Sequence, residues 1–565
     1  MNFTQEQLNI FEYVKNGTGH GIINAVAGAG KTTTIMEAAQ YTSNPSDLLF
    51  CAFNRSIAQE IHQRFQKKQL TQVTTKTIHS LGLQILQSNN STGNRIVVKE
   101  NKYKDLIKNE EISNQLLPSV KGILKLHGLA FDEYVEKQDY NVTNLIRKIT
   151  TRLLEINQKY RLTLCKETFS DLKNMVHHYG IFNEVEFEKR YFDRELEYYF
   201  EAHKILLENA NSFSQKHMII DYSDMLYLPY IWKLTTFKKY NYLFIDECQD
   251  LSRSQLAVAL KYANKGGRIL SVGDPSQSIY GFTGADIDSF SNIEKITNAV
   301  KLPLTLCFRC PRKVLELAKE FRTDILGSKH YDGLLEEIHL NEVVQSAKSN
   351  DLIISRIKEP ILLLTFGFIE SEKKIQIHPD IANDLIYMLR GLFKIDQITR
   401  NIELGFGGFE NLKSDALQRK EWIINKEAER IIDAQQREFY VKDELRMLNS
   451  KLEFLHKRYE IWKSSCKSLE AIFKRIKEYI SEKDNPITIS TIHTAKGLEA
   501  NRVFILDFKK LPLKRPEQKE WEKVQELNLK YVAVTRAKEE LYLVNSENQE
   551  EVKDDGSLFD DLFEI

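Results

Sequence analysis

The chain has 565 residues, 42% of them hydrophobic and 28% charged, a balance that excludes both a disordered segment and a membrane-embedded protein. That length exceeds what one hydrophobic core serves and predicts three or four domains. Lysine plus arginine and aspartate plus glutamate number 79 each, so a wholly basic, histone-like binder is excluded and any nucleic-acid contact must come from a local basic cleft.

The first residues, Met1-Asn2-Phe3-Thr4-Gln5-Glu6-Gln7, show neither the basic n-region nor the apolar h-region of a signal peptide, and a cytoplasmic location is expected. Gly21-Ile22-Ile23-Asn24 reads as a short strand and Thr33-Thr34-Ile35-Met36-Glu37-Ala38-Ala39 as a helix. Between them runs Ala25-Val26-Ala27-Gly28-Ala29-Gly30-Lys31-Thr32, the strand–loop–helix context of a phosphate-binding loop. Backbone N–H groups of Ala27, Gly28, Ala29 and Gly30, continued by Lys31, Thr32 and Thr33 at the helix start, are assigned to the phosphates of ATP. Lys31 reaches the β- and γ-phosphates, and the Thr32 hydroxyl is a ligand for Mg²⁺. Ala25 stands where the usual pattern has glycine.

From Val97 to Gln215, Lys, Glu, Tyr and Leu recur at helical spacing, which predicts a helical insertion whose basic residues form a solvated face. Tyr242-Leu243-Phe244-Ile245 then reads as a buried parallel strand ending in Asp246-Glu247-Cys248-Gln249-Asp250. Carboxylates at the C-terminal end of such a strand lie where α/β sheets bind ligands. Asp246 is assigned to Mg²⁺ and Glu247 to polarising the attacking water; the competing reading is an acidic loop capping the helix from Ser252. A second strand, Arg268–Val272, runs into Gly273-Asp274-Pro275-Ser276-Gln277-Ser278-Ile279-Tyr280-Gly281-Phe282-Thr283-Gly284-Ala285. There Gln277 is placed to read the γ-phosphate, and Tyr280 and Phe282 to stack on unpaired bases; a Gly-rich turn with core aromatics is the plainer alternative.

Cys307 and Cys310 have metal-like spacing, but no second pair completes four ligands, and Cys51, Cys165, Cys248 and Cys466 are scattered. The longest apolar run, Ile361–Ile369, is too short to span a bilayer, so no membrane partner is expected. Neither Gly nor Pro occurs between Gly408 and Pro486. From Val441 the apolar positions Leu445, Leu448, Leu452, Leu455, Tyr459, Trp462, Cys466, Leu469, Phe473, Ile476 and Ile480 step alternately by four and three, a heptad seam. Helices folded back on each other are predicted, with Ser464-Ser465 as a break; the seam either packs on its own chain or forms a partner-docking or strand-separating arm. The tail from Ser546 to Ile565 has eight acids against one lysine and is expected to be solvated, its Leu558-Phe559 and Leu562-Phe563 steps suiting a docking peptide for a protein partner. Glu551-Val552-Lys553 superficially matches a nuclease acid–lysine pair, but too few residues follow for a catalytic domain.

These strings, in this order, resemble the UvrD/Rep/PcrA group of superfamily 1 DNA helicases along most of the chain. Phe3-Thr4-Gln5-Glu6-Gln7 resembles the adenine-reading segment, with Gln7 as reader. Leu48-Leu49-Phe50-Cys51-Ala52-Phe53-Asn54-Arg55-Ser56-Ile57-Ala58 and Thr77-Ile78-His79-Ser80-Leu81 resemble DNA-contacting segments, which implicates Phe53, Asn54 and His79. Asp221-Tyr222-Ser223-Asp224-Met225-Leu226 matches the stretch leading to the acid pair. Cys307-Phe308-Arg309-Cys310-Pro311 resembles the segment whose arginine, here Arg309, touches the γ-phosphate. Thr488 to Glu499 resembles the coupling segment, which implies that Thr491 and His493 face the DNA backbone and Glu499 the nucleotide. Tyr531-Val532-Ala533-Val534-Thr535-Arg536-Ala537-Lys538 resembles the last segment, with Arg536 as arginine finger. The wording of the Ala52–Ala58 and Gly273–Tyr280 strings is similar to F-box DNA helicases and their bacterial relatives, although no F-box is apparent. Thr283 stands where the family usually has arginine and Phe282 where it often has tryptophan.

The resemblance implies an α/β fold of two RecA-like P-loop domains with parallel sheets and a helical insertion in each. The expected division is 1–96 and 216–300 for domain 1A, 97–215 for insertion 1B, 301–408 and 486–545 for domain 2A, 409–485 for a helical arm replacing the family's larger 2B, and 546–565 for the tail. It implies ATP hydrolysis with Mg²⁺ and 3′-to-5′ movement on single-stranded or partly duplex DNA. The alternative is a DNA-stimulated ATPase subunit that serves a partner protein as a switch without robust unwinding. Such motors serve DNA repair, recombination, replication and antiviral defence.

Overall fold

The computed structural model of the chain describes residues 2–91, 93, 95–131, 139–182, 191–281, 284, 286, 288–393, 408–429, 434–481, 483–515 and 518–546. β1 (Gly21–Ala25), β2 (Leu48–Ala52) and β3 (Thr74–Thr77) open the chain. β4 (Val97–Val98) and β5 (Ile219–Ile220) pair in parallel at the two ends of a helical insertion. β6 (Tyr240–Ile245), β7 (Ala263–Gly273) and β8 (Val300–Leu304) complete a parallel six-stranded sheet in the order β3-β2-β6-β7-β1-β8. Successive side chains on a strand point to opposite faces, and here both faces are covered. Ile23, Phe50 and Phe244 therefore enter one core, while their neighbours Ile22, Leu49 and Leu243 enter another.

The insertion is helical, built from Lys102–Ile107, Glu110–Leu126, Tyr140–Thr163, Phe169–Tyr179 and Phe192–His217, with its own core around Leu153, Ile156, Leu196, Tyr199 and Leu206. A buried charge cluster ties it to the helix Asp224–Ile231. Lys102 Nζ lies 2.7 Å from Asp224 Oδ2, and Arg161 Nη1 lies 2.7 Å from Asp221 Oδ1 and 2.9 Å from Asp224 Oδ1. Two cations meet two carboxylates, so removing one member leaves the rest uncompensated, at a cost of about 3–5 kcal/mol.

β9 (Leu306–Cys307) and β10 (Leu326–Gly327) pair briefly before the second sheet begins. That sheet contains β11 (Leu334–His339), β12 (Leu352–Ser355), β13 (Ile375–Ile377), β14 (Ile487–Thr491), β15 (Ala500–Leu506) and β16 (Ala537–Asn545). All are parallel, in the order β11-β16-β15-β12-β14-β13. The fold is thus α/β with two parallel RecA-like lobes. The boundary expected at residue 301 needs correction: it falls inside β8, which pairs with β1 from Gly21↔Val300 to Ala25↔Leu304. Nothing in Val300-Lys301-Leu302-Pro303-Leu304 says which sheet it extends, because pairing with a strand from the start of the chain is a tertiary event. Arg309, expected in the second lobe, accordingly sits in the segment that links the two sheets.

The helices Glu359–Glu370, Pro379–Leu392, Gly408–Ala428, Ala434–Trp462 and Leu469–Tyr479 share one core with one face of the second sheet. The apolar run Ile361–Ile369 lies in the first of them, and among the described residues no helix is long and apolar enough to cross a membrane. The seam breaks between Trp462 and Leu469, around Ser464-Ser465. Leu448, Leu452, Leu455, Trp462, Leu469, Phe473, Ile476 and Ile480 are all buried, and Phe454 stacks on Phe366 with ring centroids 4.2 Å apart. The chain itself fills the seam, and each fully buried leucine there contributes about 1.5–3 kcal/mol. Phe282, Thr283 and the tail from residue 547 lie outside the described residues.

Candidate active site and nucleic-acid interface

β1 hands over to the helix Lys31–Ala38 through a loop that needs left-handed backbone at Gly28 (φ +68°) and Gly30 (φ +75°). Gly28 also permits close approach. Its carbonyl accepts the Phe308 N–H at 2.9 Å, and a Cβ on it would lie 2.7 Å from Arg309 Cβ and 2.9 Å from Cys307 Sγ. The Ala27 N–H donates to the Tyr531 hydroxyl at 3.0 Å, Ala29 is buried, and Thr33 is half-buried. Beside the loop, Gln7 accepts from Thr4 N at 3.0 Å and donates to Thr34 Oγ1 at 2.9 Å, so the amide expected to read adenine is held from two sides.

β6 delivers the acid pair to the same place. Thr32 Oγ1 donates to Asp246 Oδ2 at 2.8 Å, and Lys31 Nζ lies 3.8 Å from Glu247 Oε1. Burial and the Glu247 charge push the Asp246 carboxyl up. Burial also works to raise Glu247, but Lys31 and then Lys496 outweigh it and hold that carboxyl low. Glu247 has φ +50°, a strained conformation for a side-chain-bearing residue, and Gln249 Nε2 donates to its Oε2 at 2.7 Å. The Thr32 hydroxyl and the Asp246 carboxylate are oxygen donors of the kind a hard divalent cation takes. Among the described residues no cluster of three or more His, Cys, Asp or Glu could hold a metal by itself.

The other side of the cleft brings three predicted residues together. Arg309 donates from Nε to Glu499 Oε2 at 2.7 Å and from Nη1 to the Thr535 carbonyl at 3.0 Å, while Lys538 Nζ lies 2.8 Å from Glu499 Oε1. Arg536 is only 2% exposed. Its guanidinium donates to the carbonyls of Val532 (2.8 Å) and Leu498 (3.2 Å), to Thr535 Oγ1 (3.3 Å) and to Gln277 Oε1 (3.3 Å). All four acceptors are neutral. Burial, then Arg309, pushes Arg536 down to about 10, so it remains a cation at neutral pH. Cys310 N–H donates to Cys307 Sγ at 3.5 Å, and both thiols are buried in this interface.

The described residues among the expected nucleic-acid contacts lie at or just after the C-terminal ends of β2, β3, β7 and β14. Phe53 stacks on Tyr280 with centroids 5.9 Å apart and planes at 16°. The Tyr280 hydroxyl donates to the His493 carbonyl at 3.2 Å, which bridges the lobes. Burial lowers His79, and burial followed by Arg356 and Lys496 pushes His493 down to about 3. Both imidazoles are neutral at pH 7 and offer hydrogen bonds rather than charge. Two expected contacts are engaged locally. Asn54 Oδ1 caps the helix Arg55–Lys67 by accepting from Ile57 N at 2.9 Å, and Thr491 Oγ1 lies 2.9 Å from Thr494 Oγ1.

Several residues of the site escaped residue-level reading. Lys496 Nζ donates to Asp250 Oδ2 and to the Gln277 carbonyl, both at 2.5 Å, and lies 5.0 Å from the Tyr280 ring centroid. It therefore touches the acid segment, the polar sensor and the aromatic platform at once. Its only signal was a lysine inside the Thr488–Glu499 string. Trp521 Nε1 donates to the His178 carbonyl at 2.5 Å, joining the insertion to the second lobe with no local sequence cue.

Comparison with known proteins agrees with this architecture. The UvrD/REP helicase N-terminal domain family matches residues 3–298, and the UvrD-like helicase C-terminal domain family matches residues 409–548. A probable DNA helicase II homolog of Mycoplasma pneumoniae is 23% identical, covering 94% of this chain and 82% of that protein. ATP-dependent DNA helicase PcrA of Bacillus subtilis is also 23% identical, covering 95% and 82%. ATP-dependent DNA helicase Rep of Buchnera aphidicola is 24% identical over 59% of this chain and 46% of that protein. The chain belongs to the UvrD/REP helicase family.

Proposed function

We propose that the chain is an ATP-driven DNA helicase or translocase that moves 3′ to 5′ along single-stranded DNA, with one nucleotide shared between its lobes. One observation carries this reading. The Arg536 guanidinium is buried between the lobes, and among the described residues its hydrogen-bond acceptors are neutral, Gln277 Oε1 at 3.3 Å among them, with the Glu247 and Glu499 carboxylates acting on it through space. A buried cation calls for an anion, and a γ-phosphate seated on Lys31 supplies one. Amides of the Gly28–Thr32 loop and Lys31 hold the phosphates. Arg309 exchanges Glu499 for phosphate oxygen, which draws the linking segment onto the loop it already touches at Gly28. Glu247, kept ionised by Lys31 and oriented by Gln249, takes the proton of the attacking water. Thr32 and Asp246 would hold Mg²⁺, which when bound would supply positive charge against the phosphates.

Closure then reaches the DNA through Lys496, which joins Asp250 and Gln277 to Tyr280. Phe53 and Tyr280 part to admit a base between them, a contact that tolerates any sequence. The names of the PcrA and Rep relatives support DNA as the track and ATP as the fuel. ATPase assays with and without single-stranded DNA, beside strand displacement on 3′- and 5′-tailed duplexes, test the proposal; displacement of only the 5′-tailed duplex would reverse the polarity. A second reading, an ATPase that translocates or switches a partner without useful unwinding, is favoured by one feature: the helices within 408–479 are folded onto the second lobe. Strong DNA-stimulated turnover with no displaced strand would select it.

A further inference from the structure

We propose that Arg322 is a positioning residue for ATP hydrolysis, acting through Asp274 to fix the orientation of the Gln277 amide. The proposal rests on the reading of Gln277 as a group at the γ-phosphate.

Arg322 follows the helix Arg312–Ala318, in the segment that links the two sheets. It is 8% exposed and lies beneath the phosphate loop. Nη1 donates to the Ala25 carbonyl at 2.9 Å, Nη2 donates to Asn24 Oδ1 at 2.9 Å, and Nη1 also donates to Asp274 Oδ1. Its outer edge is held by Asp324, at 2.8 Å from Nε. One guanidinium therefore joins the end of β1, where the phosphate loop departs, to the end of β7, where the Gln277 turn departs. Asp274 is fully buried. Its Oδ1 also accepts from Ser276 N at 3.1 Å, and its Oδ2 accepts from Gln277 Nε2 at 2.5 Å.

An ionised carboxylate only accepts, so it dictates which end of the Gln277 amide it meets. The NH₂ faces Asp274, and the carbonyl oxygen faces Arg536. Arg322, donating to Oδ1, holds that carboxylate in place. Without it the amide is free to turn and Arg536 loses Gln277 Oε1, one of its four acceptors. The Tyr531 hydroxyl, bonded to Ala27 N, closes the same region from the second lobe, so sensor, loop and finger share one buried support.

The test is a kinetic cycle on the full chain. Arg322→Lys keeps the positive charge but not the planar fork that reaches Ala25, Asn24, Asp274 and Asp324. It is expected to lower kcat of DNA-stimulated ATP hydrolysis by about ten- to a hundredfold, the scale on which slight misplacement of reacting groups acts, with Kd for a fluorescent ADP analogue within about twofold of wild type. In a Gln277→Ala background the same substitution should have no further effect on kcat. Equal loss in both backgrounds, or nucleotide affinity falling in step with kcat, would mark a merely structural arginine and overturn the proposal. If Arg322→Lys does not fold, Asp274→Asn, which removes the enforced polarity at Oδ2 while leaving the arginine, must show the same non-additivity with Gln277→Ala. Wild-type kcat for Gln277→Ala alone would instead remove the γ-phosphate reading, and this proposal with it.

Discussion

β1 and β12 are both interior strands of six-stranded parallel sheets, yet the turns that follow them differ. After β1 come two left-handed glycines, a lysine and a threonine; after β12 come Arg356, Ile357 and Lys358, with Arg356 gripping Glu526 at 2.7 Å. The first turn brings a cationic tip, Lys31, to 3.8 Å from Glu247, while the second is closed by the ion pair of Arg356 with Glu526 of the helix Glu520–Val534. The same sheet architecture thus builds a cradle once. The rest of the chain contributes cations, Arg309 and Arg536, at the other wall of that cleft. Repetition of a fold does not repeat a site; the loop chemistry decides.

The largest expected effect breaks the cradle side. Lys31→Ala should abolish measurable ATP turnover, read as phosphate release with saturating single-stranded DNA. Turnover near wild type would mean that the β1 turn is not the nucleotide site. The other wall is next: Arg536→Ala should lower kcat by about a thousandfold, at the lower end of arginine-finger effects, with nucleotide binding largely kept. Loss of binding with unchanged kcat would assign the arginine to affinity rather than to the transition state.

These two residues also show what the sequence carries. Lys31, the acid pair and the heptad seam were legible because each depends on a local string: small residues between strand and helix, carboxylates after an apolar run, apolar steps of four and three. Membership of β8 in the first sheet was not legible, since a strand's partner is chosen by the tertiary fold. Arg322 had no cue at all; it lies in a linker, and its value comes from three acceptors brought together by β1 and β7. Asn54 shows the converse, a residue whose family role is visible in sequence while its local duty as a helix cap appears only in the fold.

Smaller effects sharpen the contrast on the DNA face. Phe53 belongs to the first lobe, and Phe53→Ala should weaken binding of a short single-stranded oligonucleotide by about 1–3 kcal/mol, the range for one stacked base, measured by fluorescence anisotropy. Unchanged affinity would confine the platform to other residues. The smallest effect concerns the insertion. Burial pushes His203 down to about 3 from an ordinary 6.5. Below pH 6.5 the unfolded chain binds a proton there that the folded chain refuses, so stability falls as pH drops through that window. At pH 5.5 this amounts to about 1.4 kcal/mol at most. His203→Gln should therefore reduce the loss of thermal stability between pH 7.5 and 5.5; an identical pH dependence in the variant would show that the histidine is not the group responsible.

The claim that both walls of the cleft serve one nucleotide is tested most directly by a structure with ADP and aluminium fluoride bound. The account predicts the fluoride ligands in contact with Lys31, Arg309 and Arg536 together, with Arg309 released from Glu499. Fluorides touched by Lys31 alone, with both arginines still on their present partners, would contradict it.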